Sequence, residues 1–422
     1  MTQSDYLPVQ VALEKVLALV SQLPAETVPL EQASGRILAE NIFANDSLPP
    51  FDNSGMDGYA LKAADSTGAS ETSSVVLKVI GEVAAGLVYE GDPLRRGQAI
   101  RIMTGAPIPA GADAVIRIED TDEDYGQSER PLPETVTIKA EVGPANAIRN
   151  AGSDLRAGQK ILNAGRKIRP QEIGVLASLG VSQVPVIRRP KIGILATGDE
   201  LIPVDEPLTP GKIRNSNGYA QAAQIEALGA EALRLGVAKD TPADLKAKLQ
   251  AGLDAGVDLF ISSAGVSVGV YDVVTDVLQQ SGEVNFWKVR MRPGKPLAAG
   301  HYAGVSYLGL PGNPVSAMVS FERFARPAIL KMAGYSNLDR PMRTVTFLEA
   351  IRSDGRETYV RAIISRQPDG SLAAMSTGSQ GSHVMTSLVK ANGLVIIPEG
   401  IKEIEAGTQL EALMTDWPEE VF

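Results

Sequence analysis

Residues 191–201 read KIGILATGDEL, an apolar run that breaks at Thr197-Gly198-Asp199-Glu200. An apolar run bounded by turn residues is a buried strand, and the stretch after it, SNGYAQAAQIEALG, has helical spacing with Ser216 as N-cap and Gly229 as stop. The alternation continues. ALRLGV is a strand, and DTPADLKAKLQAGLDAG a helix with Thr241 as N-cap, Pro242 in the first turn and Asp244 completing a capping box. VDLFISS is a strand, YDVVTDVLQQSG a helix, NFWKVRM and VSYLGL strands, and PVSAMVSFERFARPAILKMAG a long helix. Strands alternating with helices predict a doubly wound α/β domain over 186–334.

Outward from that domain the pattern changes on both sides. Residues 9–23 have helical spacing up to Pro24, and 48–58 (LPPFDNSGMDG) is an ordered loop. Between 75 and 138 the pattern is β: VVLKVIGEV, QAIRIMTG, DAVIRIED and TVTIKAEV, with 120–134 as a solvated hairpin tip. Pro170 opens a helix that Gly180 ends. After Gly334 come RTVTFLEAI, ETYVRAIIS, SLAAMST, GLVIIP and TQLEALM, which predict a small barrel or sandwich.

Composition narrows the chemistry. The 422 residues include no cysteine, and the only histidines are His301 and His383. Thiolate sites, cysteine nucleophiles and His-rich zinc sites are therefore excluded, and a Ser-His-Asp triad is disfavoured. Carboxylates, Lys/Arg, hydroxyls and backbone N–H groups remain, a set suited to phosphate and Mg²⁺. The net charge of −10 argues against binding to nucleic acid or an anionic membrane, yet leaves room for a local basic pocket. With no apolar stretch of membrane-spanning length and no leader pattern, a soluble cytoplasmic protein is expected.

Ligands of a parallel α/β sheet bind beyond the carboxyl ends of its strands. Asp199 and Glu200 follow the first strand, Asp240 the second, and Ser263 with the hydroxyl- and glycine-rich 264–269 loop (Gly265, Ser267, Gly269) and Asp272 the third. Lys288, Arg290, Arg292 and Lys295 put four cations in eight positions, and Pro311-Gly312-Asn313-Pro314 follows VSYLGL. Strand alternation aims Lys288, Arg290 and Arg292 to one face. The glycine loop lies between strand and helix, where backbone N–H groups hold phosphate, but it is not a Walker A loop. Taken singly, each feature also fits a turn, a cap or solvated charge. Asp57 reads equally as a turn aspartate, Thr104 as a strand-end hydroxyl, and Trp287 as core.

The blocks NSGMDGYA, RIMTGAPIPAGADAVIRIED, ILATGDEL, IRNSNGY, SSAGVSVGVYD, MRPGKP, LPGNPVSA and ANGLVIIP occur in the order seen in the molybdopterin molybdotransferases. The chain resembles this family, which includes bacterial MoeA and the gephyrin E domain, from about Leu13 to Pro398. TGDEL and SSAGVSVG alone resemble the smaller molybdopterin adenylyltransferases as well. The Asp57 block and the C-terminal β module separate the two families.

The resemblance implies an elongated homodimer of four domains per chain, of class α/β plus β. These are a discontinuous linking domain (1–45 with 145–185), a β-rich domain (46–144), the α/β molybdopterin-binding domain (186–334) and a C-terminal β-barrel-like domain (335–422). It implies insertion of molybdate into adenylylated molybdopterin with Mg²⁺ and release of AMP, in a cleft between subunits. An adenylyltransferase partner and molybdoenzyme apoproteins belong to the same picture. Carried over by motif are Asp57, Thr104, Asp154, Glu200, Asp240, Asp272, Lys288, Arg292, Lys295, Pro311, Pro314, Arg361 and Ser382. Lys288, Arg292 and Lys295 would offset the charge of molybdate and phosphate, Glu200 and Asp272 would hold Mg²⁺, and Gly265, Ser267 and Gly269 would cradle phosphate.

Three departures stand out. Ala264 occupies the first position of the usual Gly-Gly, Val270 replaces a frequent acidic residue, and Ser153 stands where Glu is common. Adenylylation of molybdopterin and a non-catalytic, gephyrin-like scaffold are the alternative functions.

Overall fold

The computed structural model describes residues 6–123, 131–264 and 273–416. It divides the chain into two compact units. One comprises 1–39, 165–169 and 184–422; the other comprises 40–164 and 170–183.

The larger unit is built on the α/β alternation. Its strands are β1 (Lys191–Thr197), β2 (Glu231–Ala238), β3 (Leu259–Ser263), β4 (Gly282–Lys288), β5 (Pro296–Tyr302) and β6 (Val305–Leu310). They form one sheet in the order β2-β1-β3-β6-β5-β4. The first four are parallel, and β5 runs antiparallel to both β6 and β4. Near-continuous burial of β1, β3 and β6 follows from helices covering both faces of a parallel sheet. The helices are α1 (Ser216–Ala227), α2 (Pro242–Asp254), α3 (Val273–Ser281) and a long α4 over 314–332. On one face, Ile192, Ile261 and Leu308 pack with Phe321, Phe324 and Ile329; on the other, Phe260 packs with Leu245, Leu249 and Leu278.

Several local expectations are revised. Asn215, not Ser216, caps α1, its side chain accepting from Gly218 N at 3.0 Å. Thr241 caps α2 as expected, but Asp244 accepts from Lys239 N at 2.7 Å instead of closing a capping box. Within α4, Phe321–Ala325 form a π turn. Pro327 lacks the N–H that would bond the Arg323 carbonyl, and the wider turn absorbs the gap. The first helix stops at Ala18 rather than running to Leu23, because distant side chains capture its last carbonyls. Lys331 Nζ donates to Leu17 O and Ser306 Oγ to Leu19 O, both at 2.8 Å.

NFWKVRM is not one strand. After Lys288 the chain leaves the sheet: Val289 N donates to Lys295 O and Arg290 N to Leu7 O. Met291–Arg292 then pair with Glu357 and Thr358. Lys288, Arg290 and Arg292 therefore do not share one strand face. Arg290 instead pairs with Glu399 at 2.8 Å.

The five C-terminal strands are all present: β7 (Met342–Phe347), β8 (Glu357–Arg366), β9 (Leu372–Ser376), β10 (Gly393–Ile397) and β11 (Thr408–Met414). They run β8-β9-β7-β11-β10, and β10 pairs back onto β8, closing a barrel filled by Val345, Phe347, Val360, Val395 and Ala412. Closure leaves no free edge among these strands.

The smaller unit carries a five-stranded sheet in the order Ala114–Arg117, Gly58–Leu61, Gln98–Ile102, Val75–Val83, Thr135–Ile138. The helix Pro170–Ser178 also belongs to it.

Candidate functional site

At the carboxyl edge of the α/β sheet lies a cavity of about 690 Å³ contained within the larger unit. Glu200, Ser263, Arg292, Lys295, Pro311, Pro314 and Ser382 line it, seven of the residues singled out from the sequence. Thr197, Asn215, Asn217, Asn313, Arg356 and Gln380 line it too, and were not assigned roles there.

Each wall has a local cause. Gly198, directly after β1, has φ +139°, and a Cβ there would collide with the Glu200 carboxylate. A side-chain-free residue lets that carboxylate fold back over the chain. Asp199 and Asp240 tie the loops after β1 and β2 together, each backbone N–H donating to the other's carboxylate at 3.3 and 3.2 Å. Asp240 is thus neither a helix cap nor part of the cavity lining.

Also in the lining, Asn217 Nδ2 donates to Gly312 O at 2.7 Å, fixing the loop after β6. Ala264, which ends the described part of the glycine-rich loop, has φ +77°, and its N–H donates to Leu310 O at 3.1 Å. Gly265, Ser267, Gly269 and Asp272 lie outside the described residues.

The basic wall comes from the chain between β4 and β5. Gly294, with φ +108°, approaches α4 so closely that a Cβ would stand 2.5 Å from Ser320 Oγ. Lys295 and Arg292 are thereby brought to the sheet edge. Arg356 enters from the barrel, with Nη1 donating to Met291 O at 3.1 Å and Nη2 to Asp354 at 2.5 Å. Hydrogen bonds from Arg356, with the charge of Arg292 added, hold the Asp354 carboxyl below its ordinary range despite its partial burial. Asp354 lies 3.9 Å from Arg292 and offsets part of this positive charge.

Gln380, Gly381 and Ser382 also come from the barrel. Ser382 O accepts from Val315 N at 3.3 Å, fastening this loop to the first turn of α4. Arg361 supports the loop from behind rather than lining the cavity. It is only 1% exposed, donating from Nε to Ser387 Oγ and from Nη2 to Gly381 O, both at 3.1 Å. Burial, with Arg292 adding to it, pushes its pKa down to about 10. Lys288, at the end of β4, is outside the lining as well.

Asp57, Thr104 and Asp154 belong to the smaller unit. Forty-seven residues apart in sequence, Asp57 and Thr104 meet: Thr104 donates to Asp57 Oδ1 from its N–H at 2.6 Å and from Oγ1 at 2.7 Å. Asp57 sits in the turn before Gly58–Leu61, and its carboxylate ties that turn to Thr104, a pairing the sequence does not signal. Asp154 is exposed, its N–H donating to Leu48 O at 3.0 Å. His301 Nε2 lies 3.3 Å from Leu19 O, a structural contact.

Among the described residues no three Asp, Glu or His side chains cluster as a metal site. The fit to Mg²⁺ is therefore to a site of few protein ligands. Mg²⁺ is typically held by one or two carboxylates together with substrate phosphates and water. Glu200, which Gly198 frees to lie against the backbone at the cavity wall, suits that role.

These features define a multidomain protein, α/β sheet plus closed barrel, with a cavity that Arg292, Lys295 and Arg356 line where the two meet. Known proteins share the architecture. The MoeA N-terminal region (domain I and II) matches residues 7–180, a probable molybdopterin binding domain 193–331, and the MoeA C-terminal region (domain IV) 344–414. Molybdopterin molybdenumtransferase 2 of Mycobacterium tuberculosis is 39% identical over 91% of this chain and 94% of its own length. The Bacillus subtilis molybdopterin molybdenumtransferase is 36% identical over 98% and 96%. Among solved structures, a molybdopterin biosynthesis MoeA protein from Pyrococcus horikosii aligns with a TM-score of 0.81 at 31% identity, covering 98% of this chain and all of that one. The chain belongs to the molybdopterin molybdenumtransferases, a family of enzymes of molybdenum cofactor biosynthesis.

Proposed function

We propose that the chain inserts molybdate into adenylylated molybdopterin, with Mg²⁺, and releases AMP as the molybdenum cofactor forms. The observation that carries this reading is the cavity itself. Glu200, the one carboxylate of its described lining, shares a cavity of about 690 Å³ with Arg292, Lys295 and Arg356, a volume in the range of small-molecule and cofactor sites.

Lys295, Arg292 and Arg356 bind and orient negative charge, Arg356 presenting a guanidinium already fixed by Asp354 and the Met291 carbonyl. Ser263 and Ser382 supply hydroxyls, and Asn215 and Asn217 stiffen the wall on which the pyrophosphate lies. Glu200, with Asp272, would hold Mg²⁺, which when bound polarises the pyrophosphate. An oxygen of water attacks phosphorus, the bridging P–O bond of the pyrophosphate breaks, and AMP departs while the pterin keeps its own phosphate. A molybdate oxygen in the same role would give a mixed anhydride that water then opens. The two dithiolene sulfurs, giving up their protons, displace oxo groups of molybdate, which leave as water. No serine, cysteine or histidine nucleophile is required. Asp57, with Thr104, Asp240 and Lys288, belongs to the machinery in this reading, as do the homodimer and the four-domain division that the family resemblance implies. AMP release measured with and without molybdate tests the proposal, and Glu200→Gln is expected to abolish it.

A further inference from the structure

Tyr6 stands beside the basic wall. Leu7 forms a parallel bridge to Val289, with Leu7 N donating to Lys288 O and Arg290 N to Leu7 O, each at 2.8 Å. This strand-like pairing pins the chain ahead of the first helix onto the segment that carries the cations. Lys295 Nζ lies 5.0 Å from the centre of the Tyr6 ring, within cation–π range. None of the salt bridges among the described residues involves Lys295, whereas Arg292 and Arg356 both face Asp354.

The chemical difference matters. A carboxylate that held Lys295 would cancel the charge an anionic substrate must meet, whereas a neutral phenol and its ring hold an ammonium and leave the charge intact. We infer that Tyr6 is a positioning residue which holds the Lys295 ammonium at the cavity in its unneutralised state, and whose ionisation weakens oxyanion binding there.

This inference rests on the anion-handling role proposed for the cavity. Among the described residues the cations whose charge acts most on Tyr6 are Lys295 ahead of β5, Lys288 at the end of β4 and Arg356 ahead of β8. The nearby Lys295 ammonium lowers the Tyr6 pKa most, against desolvation, which raises it, and the charges of Lys288 and Arg356 add to the lowering. As pH rises through that lowered value, the phenolate forms, neutralises Lys295 and competes with bound anion.

The test compares wild type, Tyr6→Phe and Tyr6→Ala as full-length proteins. Binding of molybdate, tungstate, sulfate and phosphate is measured from neutral to strongly alkaline pH, alongside the ultraviolet tyrosinate titration. Wild type should lose about tenfold in affinity, the worth of one charge-assisted hydrogen bond, at a lower pH than Tyr6→Phe. The early-ionising tyrosine should be absent from Tyr6→Phe, and bound anion should raise its pKa in wild type. Tyr6→Ala should weaken binding at neutral pH, while Tyr6→Phe, which keeps the ring, should recover part of it.

Identical pH profiles in wild type and Tyr6→Phe would overturn the inference. A Tyr6-dependent limb seen with sulfate or phosphate, without binding of molybdate or tungstate, would sustain the role of Tyr6 and count against the insertion reading instead.

Discussion

At the scale of single residues, Ala264 is the clearest departure with a physical consequence. It ends the described part of the loop after β3 with φ +77°, a conformation that costs an L-residue about 1–2 kcal/mol. Gly312 faces it, and a Cβ on Gly312 would stand 3.2 Å from the Ala264 methyl. The methyl is thus tolerated in a position that favours glycine, on the wall of the cavity. Ala264→Gly is expected to raise stability by about 1 kcal/mol, glycine's greater freedom when unfolded offsetting part of the relieved strain. Urea denaturation measures it, and a loss of stability would mean the methyl packs favourably enough to outweigh its backbone conformation.

The same scale explains why part of the cavity is legible in the sequence. Ser263 ends a parallel strand, Pro311 directly follows one and Glu200 lies in the loop after another, and topology alone decides that the carboxyl end of such a strand faces the ligand. Arg356 and Gln380 precede and follow strands of the barrel, and nothing periodic in their surroundings says that the barrel meets the sheet edge. Asn217 was quoted within IRNSNGY, but its bond to Gly312 joins residues 95 apart and has no local signature. Asp57 and Thr104 could be chosen only through the family resemblance, since their pairing depends on how two loops of the smaller unit converge.

At the scale of elements, strands and helices with a clear period were legible, and errors fell where a distant group captured a local one. The cap of α1 lies one residue earlier because Asn215 reaches Gly218 N. The long helix keeps its length through a proline by means of a π turn. β5 was missed because PLAAGHY has weak alternation and begins with proline; its antiparallel pairing with β4 and β6 defines it.

The barrel loop at 378–387 raises a further point. Arg361 is a buried cation whose described donors go to a hydroxyl and a carbonyl, so its desolvation is poorly compensated. Replacing a buried charge with an apolar side chain of similar volume often costs little stability, even where function is lost. Arg361→Met should therefore change the melting temperature by no more than about 5 °C, while molybdate affinity falls at least about tenfold. Calorimetry with a binding titration checks both; a large drop in melting temperature with unchanged affinity would make Arg361 purely structural.

At the scale of the whole molecule, the chain crosses between its two compact units at 39/40, 164/165, 169/170 and 183/184. Each unit has its own core: Tyr59, Leu77, Ile116 and Val136 pack together in the smaller one, separately from the sheet and barrel cores of the larger. Separate cores joined by few crossings predict unfolding that is not two-state. The calorimetric enthalpy should exceed the van't Hoff enthalpy, and equality of the two would mean that the units unfold together.

The larger unit alone encloses the cavity, drawing its walls from sheet, connecting chain and barrel, and this arrangement bears the central claim. Its most direct test is AMP release from adenylylated molybdopterin by the purified protein with Mg²⁺, in the presence and absence of molybdate. The account predicts release that depends on molybdate and disappears in Glu200→Gln. Tight binding of the substrate with no release under either condition would contradict it, and would leave a binding protein that retains the fold without the chemistry.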